Sequence, residues 1–245
     1  QVHDSGYMSD VAHGTLSAAA VRRLGFPWSQ NLVRRTRLSV DGTRKTAELA
    51  LQDGIAANLA GGTHHSFVDR GEGYCVFNDI AIAIRGLQRD GGIARALIVD
   101  LDVHQGNGTA AIFRDDESVF TFSMHGARNY PFRKEVSDCD VALPDGTTDD
   151  EYLAALATHL PACMTHAQAD IVFYLAGVDV VEHDRFGRLA LTRAGLHERE
   201  RFVLQTLRNA GLPTAVVLGG GYAATAEATA DLHAVLHREA RGLGL

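Results

Sequence analysis

The chain of 245 residues has only three cysteines, one tryptophan and five prolines, and its 23 Lys and Arg are outnumbered by 30 Asp and Glu. Each shortage excludes something. Cys75, Cys139 and Cys163 are odd in number and far apart, which argues against a disulfide framework and a thiolate zinc site, and fits a reducing, cytoplasmic setting. A formal charge of −7 removes any general basic surface, so neither nucleic acid nor an anionic membrane is an expected partner, although local positive patches stay open. No apolar run reaches the roughly 18 residues of a spanning helix, and no signal peptide opens the chain. The length and the 46% apolar content suit one domain around a sizeable core.

What is present is alternation. Ala12 to Leu24 reads as a short helix ahead of the turn G-F-P-W-S, and residues 43–60 carry Ala, Leu and Ile at helical spacing with Gly54 tolerated inside. That helix feeds a glycine-rich loop at 61–76 holding adjacent histidines, and loops of this composition bring backbone close to ligands. Asn78 is placed to cap a helix to about Gln88, followed by a strand at 94–99, a helix at 106–113 and a strand at 118–124. A long loop through Pro131 and Pro144 leads to a capping box, Thr148 with Glu151, and a helix continuing past Pro161 to His166. Strand 170–176, a helix capped by Thr192 and running to Asn209, strand 213–218 and a helix at 225–240 complete the chain. This pattern predicts an α/β fold with a mainly parallel central sheet and helices on both faces. Ligands in such sheets sit beyond the carboxyl ends of the strands.

Two strand ends carry the chemistry. A-L-I-V-D-L-D-V-H-Q-G-N-G-T at 96–109 runs from an apolar stretch into two aspartates, a histidine and two glycines, and the strand at 170–176 continues into G-V-D. Asp102 and His104 are two apart, so in extended backbone they point to one side, and Asp179 as a third ligand completes an open divalent site. That donor set suits Zn²⁺, Fe²⁺ or Mn²⁺ alike. The bland account gives Asp100 and Asp102 capping or turn roles and His104 a loop hydrogen bond. His64 and His65 are by default structural, yet with acidic or amide groups to orient their rings they also suit the base of a metal-water enzyme. Gly219 to Tyr222 is either a tight turn with a buried tyrosine or a phenol placed at a developing oxyanion. Cys75, with no base partner evident, reads as a packing residue.

The order of these blocks resembles the histone deacetylase superfamily. The resemblance rests on V-H-D-S-G-Y at 2–7, G-G-T-H-H-S-F at 61–67, G-E-G-Y-C-V-F-N-D at 71–79, D-L-D-V-H-Q-G-N-G-T at 100–109, S-M-H at 123–125, A-G-V-D at 176–179 and G-G-G-Y at 219–222. It implies a single-domain arginase/deacetylase-like α/β fold across residues 1–245, with the active site at the strand C-terminal ends. It also implies about 50 further residues ahead of Gln1, judged against ordinary domain size. By this resemblance Asp102, His104 and Asp179 hold a catalytic Zn²⁺, or Fe²⁺ in its place. His65, oriented by Asn107, activates water together with the metal. His64, kept by Asp100, is its inner partner, and Tyr222 donates to the carbonyl oxygen and then to the oxyanion.

Many superfamily members carry aspartate where this chain has Asn107; the asparagine and the preceding glutamine are similar to the small class IV type and its bacterial relatives. An amide there raises the basicity of His65 less than a carboxylate does. The resemblance further places Tyr74 and Tyr130 at the aromatic walls of an acyl-lysine tunnel, Phe186 at its rim, and Gly73 and Gly220 along its lining. Most relatives carry phenylalanine in place of Tyr74. A structural K⁺ or Na⁺ beneath the zinc takes Asp100, the carbonyls of Asp102, His104 and Met124, and the Ser123 hydroxyl, so that a cation and a histidine together compensate a buried carboxylate.

The implied function is metal-dependent removal of an acetyl or longer acyl group from the lysine amine of a peptide or protein. A small acylated amine such as an acetylpolyamine is the alternative substrate. A noncatalytic acyl-lysine binder needs fewer of these parts than the chain carries, and a ureohydrolase with paired metals needs more carboxylates than it offers.

Overall fold

The computed structural model describes residues 2–244. Six strands form one sheet: β1 (Ile55–Asn58), β2 (Ala96–Asp100), β3 (Val119–Gly126), β4 (Cys139–Leu143), β5 (Ile171–Gly177) and β6 (Thr214–Gly219). Their order is β1-β6-β5-β2-β3-β4 and every pairing is parallel. Buried on both faces, β2 and β5 read as unbroken apolar runs, the pattern that a covered parallel strand requires.

Side chains alternate between two cores. Leu97 and Val99 of β2 meet Tyr152, Leu156 and Leu160 of α6 (Asp149–Ala167), and α7 (Arg193–Asn209) and α8 (Ala226–Gly242) complete that face. Ala96 and Ile98 point the other way, to Ala47 and Ala50 of α3 (Gln30–Asp53), Ile80 and Ile84 of α4 (Asp79–Arg89) and Phe113 of α5 (Asn107–Phe113). Each fully buried Leu or Ile contributes about 1.5–3 kcal/mol. A smaller cluster joins Tyr7 and Val11 of α1 (Ser5–His13), Leu24 of α2 (Ala18–Leu24) and Val76, and seats the glycine-rich loop. Among the described residues no helix is long and apolar enough to cross a membrane.

Three sequence expectations are corrected. Residues 43–60 are not one helix: α3 begins earlier, where Ser29 accepts from the Leu32 N–H at 3.0 Å, and ends at Gly54. Gly54 takes φ +90°, outside the helical region, and its carbonyl accepts from Thr214 N–H at 2.9 Å, so Ile55–Asn58 continues as edge strand β1 beside β6. The stretch before Leu24 is two helices. Asp4 caps α1, Gly14 at φ +75° ends it, and Ser17 starts α2 by accepting from Ala20 N–H. The long loop between Pro131 and Pro144 contains β4, whose approach is pinned where Asp138 accepts from both the N–H and the hydroxyl of Thr121.

The chain leaves β2 for β3 on one side and returns through β5 to β6 on the other. The crevice past the carboxyl ends of β2 and β5 is therefore the switch point of the sheet, where open α/β folds bind ligands.

Candidate active site

Asp102 and His104 leave β2 and Asp179 leaves β5, so the switch point brings them together from 75 or more residues apart. Their ligand atoms all lie within 4.8 Å of one another. His104 Nδ1 is 2.9 Å from Asp102 Oδ1 and 3.2 Å from Asp179 Oδ2. Both carboxylates are buried, and Asp179 Oδ2 has no hydrogen-bond donor. Burial, followed by the neighbouring Asp179 charge, pushes Asp102 up to about 6. Burial works against a charged His104, but its hydrogen bond to Asp102 and the nearby Asp102 and Asp179 charges outweigh it and push the imidazole up to about 10. Two desolvated carboxylates and an imidazole nitrogen aimed at one point call for a positive charge, and two oxygens and one nitrogen suit a divalent ion with coordination left for substrate. The residues fit a metal.

Backbone holds this cluster in shape. Val103 N–H donates to Asp179 Oδ1 at 2.9 Å, and His104 N–H to Asp102 Oδ1 at 2.8 Å. Gly220 shows why glycine is required: at φ +52°, a Cβ there would run into the Asp179 carboxylate. Gly73, at φ +56°, lies against the His65 ring in the same way.

The two histidines are built for different states. His64 Nδ1 lies 2.7 Å from Asp100 Oδ2. Burial opposes its charge, yet the Asp100 and Asp102 carboxylates win and push it up to about 9. His65 is held well below the ordinary imidazole value by burial and by the neighbouring His64 and His104. It is therefore neutral near pH 7. Its Nδ1 is 2.7 Å from Asn107 Oδ1, while Asn107 Nδ2 donates to Glu72 Oε1 at 2.8 Å. A carboxylate only accepts, so the amide nitrogen must face Glu72 and the amide oxygen His65; His65 then carries its proton on Nδ1 and leaves Nε2 as a free base.

Sequence reasoning missed Glu72. Its side chain is 12% exposed and accepts from Tyr130 OH at 2.7 Å as well as from Asn107. One acid between the two glycines of G-E-G-Y was its available signal. Arg199 was missed too. It is fully buried beneath the strand ends, donates to Gly177 O at 2.7 Å and Leu101 O at 3.3 Å, and is paired with Glu200. A charged residue on an interior helix face gave little local hint of this support.

The walls are aromatic. Tyr130 stands edge-on to His65 with ring centroids 4.9 Å apart, Tyr222 packs on Phe186 at 4.6 Å, and half-exposed Tyr74 meets Phe26 at 5.1 Å. Burial, then the Asp102 and Asp179 charges, push the Tyr222 phenol up, so it remains a proton donor. Cys75 is buried and its thiol, raised by burial, donates to Gly73 O. It stays an inert packing residue. A cavity of 1050 Å³ takes in His64, His65, Asp102, His104 and Tyr222 and extends past Gly62 and Leu218 toward Arg35 and Leu38 of α3. Asp100 pairs with Ser123 in the register of β2 and β3, and Met124 follows on β3.

An all-parallel α/β sheet with a carboxylate–imidazole–carboxylate cluster and a histidine pair at its switch point marks a class of α/β protein whose residues could hold a divalent ion beside a base. Comparison with known proteins identifies which: residues 1–237 match the histone deacetylase domain, and the chain belongs to the histone deacetylase family. An uncharacterised protein of Picosynechococcus sp. is 52% identical over 98% of this chain and 80% of its own length. Histone deacetylase 2 of Arabidopsis thaliana is 33% identical over 90% of this chain, which spans 59% of that relative. The crystal structure of the HDA15 HD domain superposes with a TM-score of 0.78 at 24% identity, over 98% of this chain and 73% of that one, and shares the fold.

Proposed function

We propose that this protein hydrolyses the amide between an acyl group and the side-chain amine of lysine in a peptide or protein, using one divalent ion held by Asp102, His104 and Asp179. One observation carries the proposal: Asp102 and His104 of the metal-type cluster, a neutral His65 with Nε2 free, and the protonated phenol of Tyr222 line one cavity. Zn²⁺ or Fe²⁺ bound there supplies Lewis-acid polarisation of the carbonyl and acidifies water.

The protein's own groups do the rest. His65 Nε2 takes a proton from the attacking water as the oxygen–carbon bond forms. Tyr222 OH donates to the carbonyl oxygen as it becomes negative. When the carbon–nitrogen bond breaks, the His65 imidazolium returns the proton to the amine, the remaining hydroxyl proton of the new acid passes to that amine, and carboxylate and ammonium leave. His64 is protonated near neutrality and bound to Asp100, so it serves as a fixed positive partner and not as the base. Asp100, beside Ser123 and Met124, also fits a structural K⁺ or Na⁺ with the carbonyls of Asp102 and His104. Gly73, Tyr74, Tyr130, Phe186 and Gly220 are assigned to the substrate channel. A cytoplasmic setting accords with three unpaired cysteines.

The test compares hydrolysis of acetyl-lysine peptides, long-chain acyl-lysine peptides and acetylpolyamines by metal-loaded protein. His65→Ala is expected to lower kcat by about 10²- to 10⁴-fold and Tyr222→Phe by about 10²- to 10³-fold. Absence of metal-dependent turnover on every acyl amine refutes the proposal; turnover confined to acetylpolyamine replaces it with the small-amine alternative.

A further inference from the structure

We propose that the mouth of the cleft selects acyl-lysine carried in an acidic peptide and turns cationic amines away, a specificity that rests on the deacylase reading above. The outer cleft, 430 Å³ in volume, is lined by Arg22, Arg23, Arg128 and Arg188 around the aromatic rings of Phe132 and Phe186. No Asp or Glu lines it. In a chain whose formal charge is −7, four guanidinium groups at one opening are a local reversal of sign.

The positive charge is largely uncompensated. Arg22 and Arg23 end α2, are exposed, and form no ion pair among the described residues. Arg128 and Arg188 share a single carboxylate, Asp145, at 3.8 and 3.2 Å, and are 77% and 53% exposed. Four positive groups against one acid leave a surplus of three. The flanking loop places no acid in the cleft: Asp184 keeps its charge but is turned to the backbone N–H groups of Phe186, Gly187 and Tyr222, and neither it nor Glu182 lines the cleft. Arg185 adds a further cation over the Phe186 ring, 4.7 Å from its centroid.

The cleft is continuous with His65 and Tyr222, so a substrate whose acyl-amine reaches the chemistry must hold its flanking groups among these arginines. Carboxylates on residues either side of the acyl-lysine meet guanidinium groups that bind them bidentately. An acylated polyamine brings positive charge to the same place. Each exposed ion pair is worth only about a 1.5- to fivefold factor, but two or three engaged together give about tenfold, and long-range attraction raises the encounter rate as well.

The experiment uses three acetyl-lysine peptides of equal length, flanked by Asp and Glu, by Ser and Gly, or by Lys and Arg, together with a monoacetylated polyamine. kcat/KM is expected to fall about tenfold from the acidic to the neutral peptide and again to the basic one, with the polyamine lowest. The spread should collapse at about 0.5 M salt, where the screening length is only a few ångströms. Arg22→Glu/Arg23→Glu is expected to invert the order of the two charged peptides, and Arg22→Gln/Arg23→Gln, a milder change on exposed positions, to narrow their ratio. Equal turnover across the flanks, or preference for the basic peptide or the polyamine, overturns the proposal. Fluorescence anisotropy of the same peptides separates this from the deacylase reading. Arginine-dependent, salt-sensitive binding of the acidic peptide without hydrolysis sustains the rim and sinks the enzyme; hydrolysis with flank-independent binding does the reverse.

Discussion

Glu72 lies one amide away from the proposed base, and replacing it separates charge from orientation. Glu72→Gln keeps an oxygen to accept from Asn107 and Tyr130 but removes the charge; Glu72→Ala removes both. Through the 2.8 Å bond to Asn107 and the 2.7 Å bond onward to His65, the carboxylate acts across an amide. A full charge about 7 Å away stabilises an imidazolium by about 2 kcal/mol at an effective dielectric of about 20. Arg70, with Nε 3.4 Å from Glu72 Oε2, cancels part of this and leaves about 1 kcal/mol, or roughly fivefold. The glutamine variant is thus expected to lose about fivefold in kcat. In the alanine variant Asn107 is free to turn its NH₂ toward His65 Nδ1, which forces the proton onto Nε2 and removes the base; the expected loss is about 10²-fold or more. The assay is kcat on an acetyl-lysine peptide at matched metal content. Glu72→Ala within threefold of the parent, or Glu72→Gln as damaged as Glu72→Ala, refutes the orientation argument.

Arg199 supports the strand ends. Arg199→Met leaves Glu200 buried without its partner and is expected to cost about 3–5 kcal/mol in denaturant unfolding, and Arg199→Met/Glu200→Gln should recover part of it; wild-type stability in the single variant contradicts the role of the pair. His3 links stability to pH. It is buried, its Nδ1 bonded to Phe67 O and its Nε2 accepting from Asn78 N–H, and burial lowers its pKa. The folded state binds the neutral ring. Its contribution is therefore intact above about pH 6.5, the ordinary imidazole value, and is lost as pH falls below it toward the folded-state value, by at most about 1.4 kcal/mol per pH unit. Unfolding free energies of the parent and His3→Asn, measured from pH 7.5 to about 5, should converge as pH falls; parallel curves exclude His3 as the cause.

Much of the fold was legible because fully covered parallel strands write themselves as apolar runs. β2, β5 and β6 were placed within a residue or two from such runs, and α4, α6 and α7 from Asn78, the Thr148–Glu151 box and Thr192. The edges were harder. β1 continues the composition of α3, and only the conformation of Gly54 divides them; β4 is five residues of mixed polarity inside a loop. The candidate ligands Asp102, His104 and Asp179 could be read because strand ends converge at the switch point of a parallel sheet, and the structure does bring them together. Glu72 could not be read that way. Its partners Asn107 and Tyr130 are 35 and 58 residues off, and only the folded loop joins them. The arginine mouth was hidden for a similar reason, since α2 and two later loops each contribute part of it while total charge points the other way.

One divalent ion at Asp102, His104 and Asp179 is proposed to make this cleft a deacylase. The most direct test is a titration of metal-free protein with Zn²⁺, and separately with Fe²⁺ under anaerobic conditions, following bound metal and acetyl-lysine peptide hydrolysis together in the parent, His104→Ala and Asp179→Asn. Turnover is expected to rise in step with a single equivalent of bound metal, and both variants to lose tight binding and turnover together. Hydrolysis persisting in the metal-free parent, or tight stoichiometric binding surviving in the ligand variants, contradicts it.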